Sequence, residues 1–315
     1  MVGWKNGGAK SCVVLLDAYR TSGNKPYDAE KIVFAGVEDR DVYNITAPFV
    51  HEGEIVIAGR VERRDSEASD IYFFVKQDGK WTPRAGAPVL ALQDPFYTRI
   101  RGELVIGGVQ TYPHPVIEGA LGWRTVFYKG AGIAAREPFF QGPDQMKDLR
   151  LVQLQDGGIG VFTRPQGEKG GRGKIGYTRV DALEELTLER IAQAPLLEGQ
   201  FLDDEWGGCN EIHLLANGLL GVLGHIARFD EAGNRHYYPM TFVFDPATET
   251  YSDMEIIAER SGFLPGPAKR PDLEDVVFSG GLVRHSNGTA DLYAGISDAE
   301  AHRMTIDDPF AAYER

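Results

Sequence analysis

The chain of 315 residues is 43% hydrophobic and 25% charged, the make-up expected of a globular protein in water. Its formal net charge of −13 disfavours a nucleic-acid role built on a broad basic surface. Its 2 cysteines, Cys12 and Cys209, exclude a disulfide framework and a four-thiolate zinc site, and no apolar run has the length of a membrane-spanning helix.

The start, MVGWKNGG, lacks the apolar core of a signal peptide, and Gly3 is not at the myristoylation position. The final Tyr313-Glu314-Arg315 is neither a peroxisomal nor a retention signal, so a reduced, cytoplasmic location is the expectation. The 38 glycines and 17 prolines, with 13 tyrosines and 16 phenylalanines, favour many short strands joined by turns. Residues 11–16 and 31–35 read as strands on either side of the turn-rich segment 21–26.

A β-hairpin then recurs five times. The first runs from Asn44 through 45–50, a turn at 51–54 and 55–59 to Arg60. The second opens on Asp94-Pro95, turns at 101–103 and continues through 104–109. The third runs from Lys147-Asp148 through 149–154, a turn at 155–158 and 159–163 to Arg164. The fourth links Asn210, 211–215, a turn at 216–218 and 219–224 to His225. The fifth links Asp275, 276–285, a turn at 286–288 and 289–295 to Asp298.

The starts (44, 94, 148, 210, 275) fall roughly 50–65 residues apart, a period that calls for a propeller or array before other folds. Each hairpin is followed by a further strand-like run, at 70–75, 123–128, 173–180, 240–244 and 302–306. The expected class is therefore all-β: one five-bladed β-propeller domain over residues 1–315, with the early strand at 31–35 completing the last blade. The helical spacing at 181–192 is placed in a connection between blades. A β-sandwich explains the alternation but not the recurring polar edge.

That edge emerges on counting from each turn glycine. Seven residues after it stand Arg60, Val109, Arg164, His225 and Gly295; eight or nine before it stand Asn44, Asp94, Asp148, Asn210 and Ser279. Antiparallel pairing brings the two sets to the same end of each hairpin, so they converge on one mouth of the ring.

The ordered set Asn44…Arg60-Val61-Glu62, Gln93-Asp94-Pro95, Lys147-Asp148…Arg164-Pro165, His225 and Tyr293-Ala294-Gly295-Ile296-Ser297-Asp298 lies within about residues 40–306. It resembles the β-mannoside phosphorylases of glycoside hydrolase family 130. It is closer still to a related set classed as a domain of unknown function (DUF1861). That set is similar to the dual-activity β-1,2-mannosyltransferase/phosphorylases of glycosyltransferase family 108. The resemblance implies a five-bladed propeller and an inverting mechanism with one essential carboxylate. In the family a Glu-Asp-Pro-Arg motif supplies an Asp general acid that acts through a sugar hydroxyl; the position falls on Asp94. Gln93 replaces the Glu and Phe96 the Arg, which puts that Arg's anion contact in question. With Ala294 and Ile296 in the last motif, these departures point to the less studied branch.

An inverting hydrolase needs an acid and a base, whereas a phosphorylase needs only the acid and a set of cations to hold the incoming phosphate. On this reading Asp94 is catalytic and Lys147, Arg164 and His225 bind phosphate. Asn44, Arg60, Asp148, Asn210 and Asp298 bind sugar, with Trp206 as a platform. Each has a bland alternative. Asp94-Pro95 forms a turn at a strand entry, Arg164 and Lys147, expected at a solvated mouth, are solvated edge residues or ion-pair partners of Asp148, His225 is a core histidine, and Asn44 and Asp298 cap turns. His51, His114, His213, His236, His285 and His302 show no metal-ligand spacing, so no metal is expected. The glycine-rich basic stretch 167–174 lacks the phosphate-loop spacing and reads as a flexible loop beside the mouth. Trp4, Trp81 and Trp123 read as core aromatics.

The expected activity is mannosyl transfer between a β-mannoside, in particular a β-1,2-mannooligosaccharide, and phosphate, with inversion. Phosphate is the co-substrate, mannose 1-phosphate the product, and GDP-mannose an alternative donor; no cofactor, nucleic acid or membrane is called for. The alternatives are an inverting β-glycoside hydrolase with Glu62 or Asp148 as second carboxylate, and a non-catalytic propeller that binds glycans or proteins.

Overall fold

A computed structural model describes residues 8–23 and 26–314, and its regular structure is mostly antiparallel β-sheet. All five hairpins are present. Their turn glycines, Gly53, Gly102, Gly157, Gly218 and Gly288, have φ between 79° and 87°. This left-handed backbone is open to glycine at little steric cost, which is why the turns can be read from the sequence.

The first hairpin pairs Asp41–Tyr43 and Phe49–His51 with Glu54–Glu62, and Ser69–Gln77 and Lys80–Pro83 complete a 5-stranded sheet. The second sheet has 4 strands: Gln93–Ile100, Glu103–Pro113, Leu121–Gly130 and Arg136–Gln141. The third has 3: Arg150–Gln153, Ile159–Thr163 and Gly176–Val180. The fourth hairpin (Trp206–Leu214, Leu220–Phe229) extends into Arg235–Asp245, and the fifth (Asp275–Arg284, Thr289–Ile296) into Glu300–Asp307. A short parallel pairing, His236 with Asp275 and Tyr237 with Val276, joins these last two into one 9-stranded sheet.

Apolar side chains are buried between consecutive sheets rather than within one. Val56 and Phe73 of the first sheet pack with Leu104 and Val126 of the second. Phe96 and Phe127 meet Leu151 and Val161 of the third, and Phe162 meets Val222 and Phe244 of the fourth hairpin's sheet. Leu223 and Val243 meet Leu292 and Met304, and the series returns to its start where Val42 and Ile57 meet Ala301.

The chain's beginning and end are stitched together. Tyr27–Lys31 pairs antiparallel with Glu300–Asp307. This strand lies just before the expected 31–35, which instead crosses to the first sheet: the Ile32 N–H donates to Ala301 O at 2.9 Å and the Ala35 N–H to Trp81 O at 2.9 Å.

Two further expectations are corrected. Residues 11–16 are not a strand: Ser11 caps a helix, Cys12–Thr21, by accepting from the Val14 N–H at 3.2 Å. Cys12, Leu15 and Leu16 are buried while Val13 and Val14 are exposed, the spacing of a helix with one packed face. Residues 181–192 are not one helix but a 3-10 turn, Leu183–Glu185, and a short helix, Leu188–Gln193. Thr187 separates them, its hydroxyl accepting from the Arg190 N–H at 3.2 Å as a new N-cap. Gly3, Trp4, Asn24, Lys25 and Arg315 lie outside the described residues.

Candidate active site

At the expected end of each hairpin the first strand leaves its ladder. The register shifts between Gln93 and Phe96, between Cys209 and Glu211, and between Ser279 and Gly281. Asp94 and Asn210 sit in these bulges, which turn a side chain out of the regular alternation. Asn44, Asp94 and Asp148 have φ of 44°, 49° and 58°, and Asp298 has 51°. Asn and Asp tolerate this left-handed backbone better than most side chains, and such residues gather at functional sites.

The first centre is a chain of buried charges. Asp94, 6% exposed, accepts at Oδ1 from Asn44 Nδ2 at 2.8 Å and from Arg60 Nη1 at 3.1 Å. Among the described residues no hydrogen bond reaches its Oδ2. The other edge of the Arg60 guanidinium meets Glu62 Oε2, from Nη2 at 2.6 Å and Nε at 3.2 Å. Glu62 Oε1 accepts from the Tyr43 hydroxyl at 2.6 Å and from Lys269 Nζ, and its Oε2 also accepts from the Ser69 hydroxyl. Burial acts to raise the Glu62 carboxyl, but Arg60, Lys269, Ser69 and Tyr43 together hold it below its ordinary value. Asp298 is half-buried and goes the other way. Desolvation and the charge of Asp94 push its carboxyl up against the pull of Arg60, Lys269 and Lys147.

The second centre is built around Asp148. Its Oδ2 lies 3.4 Å from Arg164 Nε and 3.9 Å from His225 Nε2, and its Oδ1 3.8 Å from Arg150 Nη2. Burial would raise this carboxyl, but Arg164, His225, Lys147 and Arg150 outweigh it and hold it below the usual range. His225 is driven down to about 3, by desolvation first, with the arginines and Lys147 opposing the pull of Asp148, so its imidazole is neutral at physiological pH. His225 Nδ1 is 2.9 Å from Asn210 Oδ1, and the ring stacks on Tyr237 with centroids 5.5 Å apart. Arg164 is 2% exposed and donates from Nε to Gly207 O at 2.8 Å. The expectation that it sits at a solvated mouth is thereby corrected: the glycines at 173 and 208, whose Cβ atoms would strike its side chain at 2.6 and 2.8 Å, let the chain close around it.

Among the described residues, Asn44 Oδ1, Asp148 Oδ2, Arg164 Nη1 and Asn210 Nδ2 are buried without a hydrogen-bond partner. Four unpaired polar atoms in two adjoining centres are costly unless something polar meets them. A cleft of about 510 Å³ opens beside them, lined by Lys147, Arg164, Arg172, Arg235, Gln93 and Trp206 among others. Lys147 is half-buried there and, among the described residues, has no hydrogen bond or ion pair. Trp206 faces the cleft but is only 4% exposed; its indole N–H donates to the Tyr237 hydroxyl at 3.0 Å and its ring packs 4.9 Å from that of Phe229. The 167–174 loop borders the cleft through Arg172, whose guanidinium lies 5.0 Å over Phe229. It begins as a one-turn helix, Gly167–Gly170, rather than as wholly irregular chain.

The structure thus gathers Asn44, Arg60, Asp94 and Asp298 in one centre, Asp148, Asn210, Arg164 and His225 in another, and Lys147 and Trp206 on the cleft. Tyr43, Ser69, Arg150 and Lys269 escaped the sequence reading, while Arg172 falls in the 167–174 stretch that it set beside the mouth. Tyr43 and Arg150 stand beside repeat positions and were within reach of it. Lys269 comes from the connection at 263–271, which carries no repeat position, and nothing local marks it. Among the described residues no group of three His, Cys, Asp or Glu side chains is placed to hold a metal. One carboxylate oxygen without a hydrogen bond among the described residues, on a nearly buried group beside Arg60, is suited to proton transfer next to a bound anion.

Comparison with solved structures finds many similar chains that match almost the full length. MPT-4, a mannose phosphorylase from Leishmania mexicana in complex with a phosphate ion, is 34% identical; the match covers 96% of this chain and 95% of that one, with a TM-score of 0.88. MPT-1, a GDP-Man-dependent mannosyltransferase from the same organism, is 33% identical over 97% and 96% of the two chains, with a TM-score of 0.87. The β-1,2-mannobiose phosphorylase from Listeria innocua, at 14% identity over 91% and 92% and a TM-score of 0.57, shares the fold. Comparison with curated protein sequences finds no match. The family model described as "Protein of unknown function (DUF1861)" matches residues 18–312, and the chain belongs to that family.

Proposed function

We propose that the chain is an inverting β-mannoside phosphorylase/mannosyltransferase, folded as a single five-bladed β-propeller domain. The propeller reading is supported by the apolar clusters, which join each sheet to the next and the last to the first, and by likeness to the solved relatives. Its substrates are a β-mannoside, in particular a β-1,2-mannooligosaccharide, with phosphate or mannose 1-phosphate, and GDP-mannose as a second donor. No cofactor beyond the co-substrate phosphate is invoked.

The observation that carries the reading is the asymmetry at Asp94: Oδ1 is tied to Asn44 and Arg60, while Oδ2 has no hydrogen bond among the described residues. Oδ2 is then the atom that holds the acidic proton and passes it, through a sugar hydroxyl, to the departing glycosidic oxygen. Arg164, through its unpartnered Nη1, and Lys147 hold the phosphate; His225 assists as a neutral hydrogen-bonding ring rather than as a cation. Asn44, Arg60, Asp148, Asn210 and Asp298 contact sugar hydroxyls, and Trp206 forms a wall of the sugar site.

The hydrolytic alternative needs a carboxylate base free to meet water. Glu62 and Asp148 are bound to cations and held in weakly basic form, which disfavours both. Asp298, with its raised carboxyl and no hydrogen bond inside the described chain, is the base that this second reading would use. The test is to incubate the protein with β-1,2-mannooligosaccharides with and without phosphate, and separately with GDP-mannose and an acceptor. Mannose 1-phosphate that forms only with phosphate is expected. Free mannose released at the same rate without phosphate would replace phosphorolysis by hydrolysis, and binding without turnover in every arm would leave a glycan-binding module.

A further inference from the structure

We infer that Glu62 is a positioning residue for the acid: it takes up charge from Arg60 so that Asp94, bonded to the same guanidinium, can hold a proton, and Lys269 sets how strongly it does so. The inference rests on the reading of Asp94 as general acid. A cation at hydrogen-bond distance favours the ionised form of a carboxyl, which is the wrong form for an acid. Arg60 alone, 3.1 Å from Asp94, would therefore work against the chemistry.

The geometry supplies the remedy on the guanidinium's opposite edge. Glu62 accepts there at 2.6 and 3.2 Å, and Arg60 is held further by Ser69 at 2.9 Å and by the Tyr43 ring, 4.9 Å from its Cζ. Glu62 is 1% exposed and receives donors at both oxygens, contacts that favour its anion beside Arg60. Lys269 is the opposing lever. Its ammonium contacts Glu62 Oε1 and donates to Ser66 O at 2.8 Å and Glu67 Oε1 at 2.9 Å, so it draws the Glu62 charge away from Arg60. Asp298 and Arg150 are further charged neighbours of Asp94, Asn44 donates to it, and Glu67 lies 3.6 Å from Arg60 Nη2. Substitution at residue 62 or 269 leaves Arg150 and Asn44 as they are. Loss of Lys269 also favours neutral Asp298, an opposing effect that is one contact further removed.

Two variants should therefore move the same pH profile in opposite directions. Phosphorolysis needs protonated Asp94, so kcat falls as pH rises through its pKa. Glu62→Gln, close to isosteric, leaves the half-exposed Glu67, 3.6 Å from Arg60 Nη2, as the carboxylate remaining on that edge and should shift that limb to lower pH by about one unit; Lys269→Met should shift it to higher pH. KM for phosphate should change little in either. Melting curves report folding, and if Glu62→Gln does not fold, the direction of the Lys269→Met shift decides alone. Limbs that move together or stay in place would overturn the inference. Asp94→Asn is the control for the underlying reading: if it turns over at near wild-type rate, Asp94 is not the acid and that reading fails, whereas an inactive Asp94→Asn with unmoved limbs removes only the role of Glu62.

Discussion

Glu62, Asp148 and Asp298 are carboxyls with overlapping neighbours but different fates. Glu62 is hydrogen-bonded directly by Arg60, Lys269, Ser69 and Tyr43, and Asp148 is ringed by Arg164, His225, Lys147 and Arg150. Asp298 meets its cations without a hydrogen bond among the described residues and has the charge of Asp94 beside it. Glu62 and Asp148 meet enough positive charge to overcome desolvation, and Asp298 does not. The same arithmetic governs Arg164. From its place in the repeat it looks removable, a solvated charge whose loss would spare the fold; packed at 2% exposure against Asp148, it is not. Arg164→Ala should destabilise by about 3–5 kcal/mol, because it strands the Asp148 charge in a dry pocket. Adding Asp148→Asn to that variant should recover part of the loss. Urea unfolding of the wild type, both single variants and the double variant measures the coupling, and simple additivity would mean that the pair is energetically independent.

At the scale of the strand, the site is made by breaking regularity at one repeated position. Bulges at Asp94 and Asn210 and left-handed backbone at Asn44 and Asp148 turn side chains inward where an unbroken strand would alternate. The partner strands make room for this. Gly295 lies opposite Phe278 and Ala301, and a Cβ on it would stand 2.0 Å from Asn44 Oδ1 and 2.6 Å from Asn44 N. Gly295→Ala should therefore displace Asn44 and break its bond to Asp94, with an overpacking cost of about 1–3 kcal/mol in stability. Turnover should fall by more than the stability loss explains. Melting temperature and kcat measured on the same sample test this, and an unchanged kcat would show that Asn44 does not serve the acid.

The whole molecule answers to pH through its buried histidines. In the folded chain His225 binds a proton only near pH 3, whereas the unfolded chain binds one below about 6.5. Between those values the unfolded state holds more protons, so stability falls as pH drops, by up to about 1.4 kcal/mol per unit for one such group. His51 and His302, lowered by burial, act in the same direction. Asp148 adds its loss further down, as pH falls below the ordinary carboxylate range. Replacing His225 by Gln should flatten the slope of stability against pH between about 6 and 4, and denaturant midpoints at several pH values measure it. An unchanged slope would mean that His225 does not govern acid sensitivity.

What could be read from residue order alone is what is decided within a few neighbours. Turn glycines need left-handed backbone, alternation follows the two-residue period of a strand, and both are local, so the five hairpins and their shared polar edge are legible. The helix Cys12–Thr21 was not, because a run of five apolar residues, 12–16, fits either period and only packing against the third and fourth hairpins' core picks the helix. Lys269 was invisible for a related reason: it reaches Glu62 from a connection 207 residues away in the chain. The burial of Arg164, the neutrality of His225 and the opposed states of Glu62 and Asp298 depend on how many charges and how little water each group meets. Those are sums over distant strands, and only the folded arrangement supplies them.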